Sequence, residues 1–309
     1  MVELFRLTRY VGRPVMKRSF CRSVCLSVAG AIVLSAIAHA ADRPLLTQPG
    51  PPPAPLDRGF LLLYDMDFDG AQKQFAAYQQ AQPGDPMGHV GEAAVNLFAE
   101  FHRLGILDSQ FVTTDDALIA GKQLKADPEA RKRFDAALAK ADALAKDCLR
   151  KDFRDRSALL ATTLSSGLRC DYAVMIEKRN AAALRMIKQS MQASQKLILL
   201  HPDCYDAYVA TGISKYVIGS LILPLRWLLS VGGFVGDKAR GEADLELTAK
   251  SGRYLAPYAQ LMLAIIATRE KRTDRARELL IGLQQHFPRN PLYGRELDRL
   301  DKLDKTAAK

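Results

Sequence analysis

Residues 255–303 read LAPYAQLMLAIIATREKRTDRARELLIGLQQHFPRNPLYGRELDRLDKL. Leu255, Tyr258, Leu261, Met262, Ile265 and Ile266 recur at helical spacing, which predicts a helix from Leu255 to Arg269. Glu270-Lys271-Arg272-Thr273-Asp274 is a polar turn, and Thr273 or Asp274 is of the type that caps a following helix. A second helix is predicted from Arg275 to Phe287, with Ala276, Leu279, Leu280 and Leu283 inward. Pro288 stops it, because proline lacks the amide that a helix interior needs. Asn290-Pro291 opens a third helix that reaches about Leu303. The order is helix, turn, helix, proline, with a small alanine where two helices approach closely.

A second copy of this order lies near the front. Gly59, Leu62, Ala71, Phe75 and Pro83 follow in sequence, with Asp67-Phe68-Asp69 as the turn. Looser units lie between: Arg156 to Tyr172, then Asn180 to Leu200 ending in His201-Pro202, then Asp206 to Ile218 with Tyr208 and Gly212 four apart. The pattern resembles the tetratricopeptide repeat (TPR), whose period is about 34 residues. The alternative is an irregular helical bundle; two good copies with helical pairs between them favour repeats. The expected fold is all-α, a TPR-like α-solenoid of stacked antiparallel helix pairs over residues 58–305. Irregular insertions at Asp108–Asp127 and Gly219–Gly236 interrupt the rhythm.

From Gly232 a narrower likeness emerges. Gly232-Gly233-Phe234-Val235-Gly236-Asp237-Lys238, Gly241 and Ser251-Gly252-Arg253-Tyr254-Leu255 precede the Tyr-Ala-Gln-Leu-Met-Leu helix and the Phe287-Pro288-Arg289-Asn290-Pro291 break. This order is similar to bacterial tetratricopeptide proteins and, more distantly, to the tetratricopeptide repeat protein 39 family. The likeness covers the last half of the chain. It implies an α-solenoid with an adaptor-like role and no catalytic residues.

The N-terminus reads as an address. Lys17, Arg18 and Arg22 precede an apolar run from Val24 to Ile37, and Ala38-His39-Ala40 is a small-x-small cleavage site. These are the three parts of a secretory signal peptide. The run is short of the roughly 20 residues a spanning helix needs. Residues 1–40 are therefore expected to be a Sec-type signal, with Met16 a plausible true start and a periplasmic destination. Residues 41–57 hold Pro49-Gly50-Pro51-Pro52-Pro53-Ala54-Pro55, a spacer that prefers polyproline II.

The 309-residue chain is 48% hydrophobic and 25% charged, values of a folded rather than a disordered protein. Aromatics make up 7%, with a single tryptophan, which argues against an antiparallel β-sandwich. Arg6, Arg9, Arg13, Lys17, Arg18 and Arg22 against Glu3 give the first 40 residues +5 of the net +10. The remaining +5 is mild and does not call for nucleic acid. Cys148, Cys170 and Cys204 lie beyond the signal; with no C-x-x-C they read as small buried apolar residues rather than a zinc clip.

No nucleophile elbow, phosphate loop or zincin motif occurs. His89 and Glu92, three apart, share a helix face but lack a further metal ligand. Asp237 after the glycine-rich turn is placed to cap a helix, and Asp115-Asp116 reads as another helix start. Arg150 to Arg156 reads as a solvated mixed-charge corner. No enzyme activity, cofactor or metal is expected.

The apolar stretch Val217–Val235 is almost long enough to span a bilayer, but Arg226 sits in its middle and Pro224 breaks it. It reads as a kinked inserted helix. Leu223, Arg226 and Trp227 are its candidates for contact with a membrane surface or an apolar ligand. Two functions remain. The first is an exported, non-enzymatic scaffold, monomeric or weakly oligomeric, that binds a protein or peptide on its concave face. Tyr172, Tyr208, Lys215 and Tyr216 are the candidate partner-binding residues. The second is a carrier that holds a small apolar ligand or lipid in an internal helical cavity.

Overall fold

The computed structural model describes residues 54–107, 124–220 and 235–307, and between the last two residues 227, 230, 231 and 233. The signal peptide, most of the proline-rich spacer, Asp115-Asp116, Leu223 and Arg226 lie outside the described residues. Among those described there are eleven α-helices, one short 3-10 turn and no strand. In chain order they are α1 (Pro55–Tyr64), α2 (Phe68–Ala81), α3 (Met87–Arg103), α4 (Pro128–Lys151), α5 (Arg156–Met175) and α6 (Asn180–Leu200). The turn Tyr205–Ala207 leads to α7 (Tyr208–Gly219), α8 (Lys238–Ser251), α9 (Ala256–Arg269), α10 (Thr273–His286) and α11 (Pro291–Ala307). Each helix packs on the next, so the chain folds as helix pairs in sequence order.

Local chemistry sets most of the starts. Pro55 occupies the first turn of α1, where its missing amide costs nothing, so the helix begins three residues ahead of Arg58. Asp67, Asp127, Asp155 and Asp237 cap α2, α4, α5 and α8 by accepting a backbone amide of the first turn. α10 differs from expectation. It begins at Thr273 with Arg272 at the cap position and no side-chain cap, because the preceding turn places Lys271 at a φ of 59° and sends the chain directly into helix.

The turn that leads into α9 is held from far away. The Asp206 carboxylate accepts the amides of Arg253, Tyr254 and Leu255 at 3.1, 2.9 and 2.8 Å. Three backbone donors of the turn before the helix are satisfied by one buried side chain, 47 to 49 residues earlier in the chain. Burial pushes its carboxyl up, while those three amides pull it down.

The two motif copies pack closely. Phe75 is fully buried, and its ring fills the space beside Gly59 and Gly91, where added Cβ atoms would lie 2.6 and 2.3 Å from it. Ala71, one turn earlier, is also fully buried, as are Ala276 and Leu283 in α10. Such positions admit no extra methylene without displacing a neighbour.

α5 is the central helix. Its residues enter the apolar clusters shared with α1–α3, with α3 and α4, and with α7–α9. Apolar contacts on several sides explain why it lacks the single stripe of a surface helix.

α1 ties the front of the array to its end. Arg253 grips Asp57 with two bonds of 2.7 and 2.9 Å. Arg289 reaches Asp65 at 2.6 Å and Asp67 at 3.2 Å. Asn290 donates to the Tyr64 carbonyl at 2.8 Å, and the Tyr64 hydroxyl donates to the Tyr254 carbonyl at 3.0 Å. Phe60 packs on Tyr254 and Tyr64 on Phe287. In an open stack each repeat touches only its neighbours; here the first helix also holds residues about 200 positions away.

Candidate functional site

α4, α5 and α6 are the longest run of successive helices, at 24, 20 and 21 residues. α5 lies between the other two and packs on both. On the α4 side, Tyr172 stacks on Phe134 at 5.2 Å between ring centres, with the Arg131 guanidinium 4.1 Å over its ring. On the α6 side, the Ser190 hydroxyl donates to the Thr163 carbonyl at 2.9 Å. Between the flanking helices an open groove of about 570 Å³ remains.

Thr162, Ser166 and Arg169, spaced i, i+4 and i+7, put α5 into the groove. Asp142, Lys146, Leu149 and Arg150 come from α4, and Gln189 and Gln192 from α6. The eight-residue rise from Asp142 to Arg150 gives a length of about 12 Å, room for three or four residues of extended chain.

The register orders the groups. Arg169 donates to Asp142 at 2.6 Å and closes one end. At the other, Arg150 pairs with Asp147, and the Thr162 hydroxyl donates to its own helix at the Ala158 carbonyl. Because the helices run antiparallel, Lys146, Ser166 and Gln189 fall level with one another midway. Lys146, Ser166, Gln189 and Gln192 have no side-chain hydrogen bond or ion pair to another described residue. The middle of the groove therefore offers an ammonium, a hydroxyl and carboxamides, with Leu149 as apolar wall.

The four aromatic and basic candidates read from sequence lie elsewhere. Tyr172 is buried against α4, held by Phe134 and Arg131. Tyr208, Lys215 and Tyr216 share α7, and each polar tip is engaged within the protein. The Tyr208 hydroxyl donates to the Pro202 carbonyl at 3.2 Å, and Lys215 donates to Asp244 at 2.6 Å. The buried Tyr216 donates to Glu270 at 3.0 Å, with the Lys238 ammonium 5.3 Å over its ring and itself paired with Glu270. Burial and the Glu270 carboxylate push the Tyr216 phenol well up.

Trp227 is 70% exposed. It stands in the second insertion, whose two ends meet: a Cβ on Gly236 would lie 2.5 Å from the Gly219 amide nitrogen, and Asp237 donates its amide to the Lys215 carbonyl at 3.0 Å. Among the described residues no helix is long and apolar enough to cross a membrane.

Other reactive groups are dispersed. His89 and Glu92 lie 3.1 Å apart, and Gln79 shares the same carboxylate. No group of three or more His, Cys, Asp or Glu is placed to hold a metal among the described residues. Cys148, Cys170 and Cys204 are free thiols, and burial pushes Cys170 up to about 12. Burial also raises the adjacent Asp171 carboxyl to about 7, with Cys170 and the Tyr258 phenol nearby.

No family model, no curated protein and no solved structure matches the chain.

Proposed function

We propose that the protein is an exported, non-enzymatic TPR-like scaffold that binds an extended segment of a partner protein in the groove over α5. The observation that carries this reading is the groove itself. It is three helices wide, open, and lined by Lys146, Ser166, Gln189 and Gln192, whose polar atoms are not used by the fold. The tips of Tyr208, Lys215 and Tyr216, by contrast, are already engaged. An extended backbone carries donors and acceptors at every residue, which carboxamides and a hydroxyl match. Arg169 and Arg150 are paired with Asp142 and Asp147, which leaves the Lys146 ammonium as the unpaired charge of the groove and favours a segment with a carboxylate over a basic one.

Site-specific photocross-linking tests the assignment. A benzophenone amino acid at position 192 should trap a discrete partner in living cells, whereas the same group at the exposed Ile281 should not. Equal trapping at both positions, or none at 192, would remove the groove as the binding surface.

A further inference from the structure

The surface over α5 does not stop at Arg150 and Thr162. α6 carries Gln189, Gln192, Lys196 and Leu199 along one exposed stripe, spaced i, i+3, i+7 and i+10. The first two line the groove, and the last two lie beyond it. Across from them stands Phe153, two residues past the end of α4. The Lys196 ammonium lies 5.7 Å over the Phe153 ring, and His201 Nε2 donates to the Arg154 carbonyl at 2.6 Å. The residues after α4 and the last turn of α6 therefore meet beside the start of α5 and form a lip at that end of the groove. Phe153 and Leu199 are 61% and 82% exposed, and Lys196 makes no hydrogen bond or ion pair with another described residue. Two large apolar side chains from separate elements thus stand with an ammonium where the polar groove ends.

We infer that the bound segment carries a carboxylate and, about three residues along the chain from it, a large apolar side chain that packs on Phe153 and Leu199. The inference rests on the groove as the binding surface and names the chemistry that surface selects. Lys146 is the unpaired charge midway along the groove, level with Gln189. From Gln189 to Lys196, α6 rises about 10 Å, the length of three residues of extended chain. A segment laid along Gln189 and Gln192 with its acid at Lys146 therefore reaches the lip. Two features select a peptide over a lipid surface. The lip continues a groove lined by a hydroxyl and carboxamides, which backbone amides match and acyl chains do not. The charges around it are also balanced, Arg150 by Asp147 and Arg156 by Asp203, whereas an anionic membrane is drawn to a cluster of cations.

Fluorescence polarisation of defined peptides with the full chain tests the inference. The probes are fluorescein-labelled heptapeptides of Gly and Ser that carry one Glu and one Leu two, three or four positions apart, in both orders. The controls replace Leu by Ser, or Glu by Lys. The expected result is tightest binding at a spacing of three, and a loss of about tenfold when Leu becomes Ser. Phe153→Ser combined with Leu199→Ser should erase that Leu preference and keep the preference for Glu over Lys. The circular-dichroism melt should not change, since both side chains are exposed. Lys146→Glu should reverse the preference for Glu and keep the one for Leu. Indifference to Leu, or a Leu preference that survives the double substitution, would overturn the inference and leave the groove standing. Binding that persists in Gln189→Trp would place the peptide elsewhere and take the groove away as well. Absence of binding by every peptide would overturn the inference, while cross-linking from position 192 decides the groove independently. Dimerisation, or pelleting with phosphatidylglycerol vesicles, that the double substitution abolishes would assign the lip to a second copy or to a membrane and overturn it too.

Discussion

The paired helices near the ends and the long helices in the middle solve the packing problem differently. α1, α2, α9 and α10 are 10 to 14 residues long. Their small and large residues interlock, with Gly59 against Phe75 and Ala276 at no exposure. α4, α5 and α6 are roughly twice as long as α1. α4 presents Ala130, Phe134, Ala137, Leu138, Ala141 and Ala145 inward as one stripe and keeps its charges outward. Long helices that flank a third without meeting over it leave that third helix partly uncovered. The short pairs interlock closely, and the long trio leaves the polar groups of Lys146, Ser166, Gln189 and Gln192 unused by the fold.

The largest expected effect lies in the short pairs. Phe75→Ala would empty a fully enclosed site and lower the stability by about 3–5 kcal/mol, read by urea denaturation. In the groove, Gln192→Ala should change it by less than about 0.5 kcal/mol. Equal effects would erase the distinction between the two regions.

Next is the long-range brace of the turn before α9. Asp206→Ala would strand three amides of the turn before α9, costing about 2 kcal/mol in the same assay. A loss as small as that of a surface substitution would mean water satisfies those amides.

Asp171 sharpens the comparison through pH. Its folded carboxyl, raised to about 7 by burial, stays protonated where the unfolded one has ionised. Stability from this group is therefore fully present below pH about 4, falls as pH rises towards 7, and is flat above. Asp171→Asn should raise the melting temperature at pH 8 and leave it unchanged at pH 4.

A smaller effect than these core and turn losses belongs to the tie between α1 and the end of the array. Arg253 and Asp57 form a bidentate but largely exposed pair, so Arg253→Ala should cost about 1 kcal/mol or less, and less still at high salt. A salt-independent loss would show that the Tyr254 packing beneath the guanidinium, not the charge, holds α1.

The helices were legible in the sequence because their signals are local. Apolar spacing placed α6 at Asn180 to Leu200 and α9 to end at Arg269, and the capping preference of aspartate placed Asp237 at the start of α8. What joins distant residues was not. Nothing near Leu255 points to Asp206 as its partner, and Asp57 and Arg253 are 196 residues apart. The partner of Tyr172 was hidden for the same reason: helical register puts it on a face of α5 but does not say that Phe134 packs there. The groove was hidden most completely. Lys146, Ser166 and Gln189 come from three helices, and each alone reads as an ordinary polar surface position. The one available signal was the unusual length of three successive helices, which implies overhang.

The most direct test of the groove as the working surface is the cross-linking yield from position 192 in a Gln189→Trp background, measured beside the melting temperature. Gln189 is exposed on the α6 rim, so tryptophan there fills the groove without entering the core. The expected result is loss of the cross-linked partner with an unchanged melting temperature. A partner still trapped at full yield in the blocked variant would contradict the assignment.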